Sequence, residues 1–145
     1  MRADFYQLSR DPVEAALPLI ARKVLSDGER LLIVSGDPLQ RQRISQALWS
    51  LNEESFLANG MAGERHEDRQ PILLSEMPEP VNGARFMAIA DGLWREGASS
   101  FTRIFFLFDD RTLQHARETW RMLRGREEVE HYYWKQDGGR WVQAG

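Results

Sequence analysis

The sequence predicts an α/β fold of three layers, with helices on both sides of a mostly parallel, mixed sheet. Three observations carry that prediction. Leu31–Val34 (LLIV), Pro71–Ser75 (PILLS) and Phe101–Phe108 (FTRIFFLF) are short runs dominated by apolar residues, as buried parallel strands require. Two of the amphipathic stretches between strands open on Asp–Pro pairs, which are helix starts. Strand, helix, strand, helix in the first third of the chain calls for right-handed crossovers, and these lay helices over a sheet.

Each element follows from its residues. Ala3–Leu8 (ADFYQL) is a short strand with Phe5, Tyr6 and Leu8 as its apolar residues. Asp11-Pro12-Val13-Glu14 then predicts a helix start, with Asp11 as cap, Pro12 in the first position and Glu14 closing a capping box. Val13, Ala16, Leu17, Ile20, Val24 and Leu25 fall on one face of that helix. Pro18 should kink it or split off a first turn, because proline has no backbone donor. Asp27-Gly28 ends it. LLIV follows, and then Gly36-Asp37-Pro38 opens a second helix to about Trp49, with Ile44, Ala47, Leu48 and Leu51 inward.

Between Asn52 and Glu79 the pattern is irregular. Ser55–Leu57 suits a short strand, Asn59–Gly63 a glycine loop, and Glu64–Gln70 a polar excursion. PILLS and Arg85–Ala90 are further strands. FTRIFFLF is the strongest strand signal and leads into a helix over Asp109–Gly125. Val129–Lys135 and Gly139–Val142 flank Gln136-Asp137-Gly138, which reads as an antiparallel hairpin. No repeat or linker interrupts the chain, so one domain over residues 1–145 is expected.

Composition narrows the function. Hydrophobic residues at 42% and charged residues at 28% fit a globular protein with a substantial core. A net charge of −3 argues against a large nucleic-acid footprint. Without cysteine there is no disulfide, thiolate nucleophile or Cys-ligated metal. The N-terminus has no apolar signal region, and no apolar run is long enough to span a bilayer, so a cytoplasmic protein is expected. Ser35-Gly36-Asp37-Pro38 is not a phosphate loop: it has one glycine, no lysine and a repelling Asp. Gly60 and Gly63 run into Glu64. His66-Glu67-Asp68 lacks the further ligands of a metal site. No catalytic residue, metal, cofactor or small-molecule substrate is expected.

The helix over Asp109–Gly125 carries the positive signal. Leu113, Ala116, Trp120 and Leu123 share a core face, and Gln114, Arg117, Arg121 and Arg124 form a stripe beside it. An arginine stripe bordering a large aromatic suits an acidic peptide with a hydrophobic end. The alternative is a solvated helix face.

The chain also resembles the chi subunit family of bacterial DNA polymerase III holoenzyme. The landmarks, in order, are FYQL, the helix end ALW at Ala47–Trp49, ESFLANGMAGE at Glu54–Glu64, PILLS, RIFFLFDD and ARETWRMLR. The resemblance implies an α/β/α fold similar to a helicase domain without its phosphate-binding loop. It implies a non-catalytic adaptor that links the clamp loader, through psi, or a helicase, to single-stranded-DNA-binding protein. DNA is then contacted only indirectly. In this family, the acidic, Phe-ending tail of that protein binds beside the basic helix. The corresponding residues are Arg117, Trp120 and Arg121, with Trp49 and Phe106 lining the apolar part, and Phe56 on the surface for psi or a helicase. Leu113 stands where a well-known member has lysine, with Arg124 or Arg111 able to compensate. Two other classes remain open: a nucleotide-binding α/β enzyme or a degenerate relative of one, and a direct single-stranded-DNA binder.

Overall fold

The computed structural model describes residues 1–9, 11–50, 57–137 and 140–144. Its elements are β1 (Arg2–Gln7), α1 (Val13–Ser26), β2 (Leu31–Val34), α2 (Pro38–Trp49), β3 (Gly60–Met61), β4 (Ile72–Ser75), β5 (Phe86–Ile89), β6 (Arg103–Phe108), α3 (Leu113–Arg124), β7 (Glu130–Asp137) and β8 (Arg140–Gln143). The strands form one sheet in the order β3-β4-β2-β5-β6-β1-β7-β8. All neighbours pair in parallel except β7 and β8, so the hairpin makes an antiparallel edge. LLIV and RIFFLF share this sheet through β5.

Alternation along β2 shows the layering. Leu31 and Ile33 pack with α1 and α2 on one face, whereas Leu32 and Val34 pack on the face that α3 covers. All four are fully buried, because the sheet is packed on both faces.

The local chemistry at the helix starts matches expectation at α2 and departs from it at α1 and α3. Asp37 does cap α2: its Oδ1 accepts from the Leu39 N–H at 2.9 Å, and Pro38 takes the first turn. Asp11 does not cap α1. The cap position falls to Pro12, in extended conformation, and no side chain satisfies the first turn. Asp11 instead accepts from Gln136 Nε2 at 2.9 Å, while Glu14 pairs with Arg43 of α2 at 3.1 Å. α1 runs through Pro18 as one helix, with the ring buried in the core. Only one backbone donor is lost there, and burial of the ring offsets it.

Other boundaries shift modestly. Gly60 and Met61, expected in a loop, pair with β4 as a short edge strand. α3 begins at Leu113, later than Asp109. The Asp109 carboxylate accepts from the Arg111 and Thr112 N–H groups at 2.9 and 3.3 Å, forming a turn that leads into the helix. Leu51 and Phe56, and Gly138 of the hairpin turn, lie outside the described residues.

The loop after β2 is closed by the protein's own groups. Gly36 N–H donates to Asp91 Oδ2 at 2.9 Å, and Arg95 Nη2 meets the same oxygen at 2.6 Å. Burial pushes the Asp91 carboxyl up, but the bonds from Arg95 and Gly36 outweigh it and hold the group below its ordinary range. A backbone donor that a phosphate would use is thus already bonded to a carboxylate. Among the described residues, no helix is long and apolar enough to cross a membrane.

Candidate functional site

The site arises from the last crossover. β6 ends at Phe108, α3 passes back over the sheet, and β7 returns beside β1. α3 presses Ala116 and Leu123 into the core, with Thr119 buried beside them. Trp120 is half-buried. Its ring meets Phe5 edge-on at 5.1 Å and Tyr133 at 5.8 Å, and His131 at 4.4 Å. Part of the indole therefore belongs to the core and part faces outward.

Between α3 and the C-terminal hairpin lies a groove of about 660 Å³. Phe108, Leu113 and Ala116 give it an apolar base, with Trp120 and Tyr133 as aromatic walls. Gln114, Arg117 and Arg121 line it from the helix, and Lys135 and Ala144 from the hairpin side. Arg117 and Arg121 are one helical turn apart and both exposed. Among the described residues, the lining contains three cations and no carboxylate, in a chain whose net charge is −3. Among the described residues, none of the three cations forms an ion pair.

Tyr133 reports the field inside the groove. Burial pushes its phenol up, and the Arg117 guanidinium pulls it back. Its hydroxyl donates to Gln7 Oε1, which fixes the ring against the floor. Such a surface suits a short acidic segment that ends in an apolar side chain: cations for carboxylates, and an aromatic wall for a ring.

The structure brings together only part of the expected set. Arg117, Trp120 and Arg121 meet in the groove, as the helical spacing requires. Leu113 lines it too, as an apolar residue. Arg124 is exposed on the last turn of α3 but does not line the groove, and Arg111 sits before the helix, paired with Asp109 at 3.5 Å. Phe106 is fully buried among Phe5, Trp94 and Phe108 and does not line the groove. Trp49 is 46% exposed at the end of α2, on the opposite side of the sheet from α3, and does not line the groove. Beside Trp120 the groove is lined by Tyr133. Phe56 lies outside the described residues. Sequence reading missed Tyr133, Lys135 and Ala144. Tyr133 and Lys135 are two apart on one strand, but aromatics occupy both parities of HYYWK, so alternation does not assign a face.

Comparison with known proteins gives two matches. The family model described as "DNA polymerase III chi subunit, HolC" matches residues 1–129. The chain is also 29% identical over 132 residues to the DNA polymerase III subunit chi of Escherichia coli strain K12, an alignment that covers 84% of this chain and 90% of that relative.

Proposed function

Because the chain belongs to the DNA polymerase III chi subunit family, a replication accessory family, we propose that its α3 groove binds the acidic, Phe-ending C-terminal tail of single-stranded-DNA-binding protein. The observation that carries this reading is the composition of the groove: Arg117, Arg121 and Lys135, with no acid among the described residues, around an apolar base and two aromatic rings. The arginines meet the tail's carboxylates, and the terminal Phe ring packs against Trp120 and Tyr133. The protein is then a non-catalytic adaptor, reaching DNA only through its partner. A disordered tail loses ordering entropy on binding, so the affinity is on the order of micromolar.

The other end of the adaptor is psi or a helicase, bound through the segment around Phe56. Phe56→Ala should reduce capture of that partner and leave tail binding intact, as read by pull-down and titration on the same preparations. A variant that loses both, or merely unfolds, would count against a separate Phe56 surface.

Calorimetric titration with an acidic peptide ending in Phe tests the tail reading. Arg117→Ala and Arg121→Ala should each cost roughly 1–2 kcal/mol of binding, the range for a charge-assisted hydrogen bond, without loss of fold stability. Removing the terminal Phe should cost more than either. Full affinity in the double arginine variant would mean that the stripe is only a solvated face.

A further inference from the structure

We infer, on the peptide-binding reading above, that the C-terminal hairpin is the second wall of the site and that Lys135 takes a ligand carboxylate from the side opposite Arg117. Register places Lys135 there. Phe108 pairs with Gln7, Gln7 with Lys135, and Lys135 with Val142, so these four form one row across β6, β1, β7 and β8. Directly paired residues share a face of the sheet. Phe108 lies on the α3 face, and therefore so do Lys135 and Val142. Tyr133, two residues earlier on β7, packs against Trp120 and Phe108.

The hairpin is anchored through β7, which pairs with β1 along six residues, and within it the Ala144 N–H donates to the Tyr133 carbonyl at 2.8 Å. Lys135 and Val142 are exposed, and Lys135 forms no ion pair among the described residues. The arginines form a planar, directional row on the helix, whereas a lysine supplies a mobile point charge with three donors. A peptide with several carboxylates then meets cations on both sides, and Val142 continues the apolar base toward the sheet edge. Residues 130–145 lie beyond the stretch matched by the family model.

The test uses the full chain and the same acidic Phe-ending peptide. Lys135→Ala should weaken binding roughly three- to tenfold, the loss of one solvent-accessible charged contact. Lys135→Glu should weaken it further, and Lys135→Arg should hold affinity within about twofold of the parent, since charge is kept. Lys135 is exposed, so melting temperatures should match within error; they are measured on each variant. Parent-like affinity in both Lys135→Ala and Lys135→Glu, with Arg117→Ala weakened, overturns the second wall and leaves the peptide reading standing. Parent-like affinity in all of these variants, or no binding by the parent, overturns both.

Discussion

Asp4 has a fully buried carboxylate and is bonded on three sides. Arg2 Nε and Arg103 Nε lie 3.0 and 2.8 Å from its Oδ2, and Trp134 Nε1 donates to its Oδ1 at 3.0 Å. A lone buried carboxylate costs several kcal/mol, but this one joins β1 to β6 and β7. The hydrogen bond to Asp4 raises the Arg2 guanidinium above its ordinary value, against the opposing effect of burial. Asp4→Ala should lower stability by about 3 kcal/mol, because it strands two guanidinium groups and an indole N–H. Urea midpoints on parent and variant check this, and an unchanged midpoint would make the cluster energetically idle. Nothing in ADFYQL reveals the burial, since two of the three partners sit 99 and 130 residues away. Tyr6, on the same face, has its phenol pushed up to about 12 by burial first and Asp4 second. The raised value means the native state keeps its proton where the unfolded state loses it. The associated stability, up to about 3 kcal/mol, is full below about pH 10 and is lost as pH rises toward 12. Tyr6→Phe should flatten that fall in midpoints measured across the same range.

At the scale of elements, the two Asp–Pro starts look alike in sequence and differ in structure. Asp37 bonds the first turn of α2, whereas Asp11 bonds Gln136. Asp37→Ala should cost about 1 kcal/mol as a lost cap. Asp11→Ala should cost less, because its contact is exposed and no helix donor depends on it. Paired denaturation curves would show the difference; equal losses would contradict the assignment. The helices and buried strands were legible because burial on one face leaves a period of 3.6, and burial on both leaves a continuous apolar run. The same physics hid part of the site. Phe106 and Phe108 are two residues apart and face the same side of the sheet, so alternation cannot separate core-only Phe106 from groove-lining Phe108. Trp49 is large and exposed, but the crossover that carries α2 to one face and α3 to the other is a tertiary fact.

For the whole molecule, the sheet order puts the first and last parts of the chain side by side, with β1 between β6 and β7. The groove therefore depends on both ends: Gln7 fixes Tyr133, and Phe5 supports Trp120. An acidic chain with a locally basic groove also implies salt dependence. Attraction between exposed charges is screened over about 8–10 Å at physiological ionic strength. Peptide affinity should thus fall when salt is raised, while the part contributed by the terminal Phe should persist. Titrations at two salt concentrations, with and without that Phe, separate the two contributions.

The most direct measurement is amide chemical-shift mapping of the isotope-labelled protein as the acidic Phe-ending peptide is added. Binding in the α3 groove should give saturable shifts that centre on Leu113–Arg121 and on Tyr133–Lys135, with the Trp120 indole signal moving with them. Shifts that centre on Trp49 and the α1–α2 face instead, or that never saturate, would contradict it.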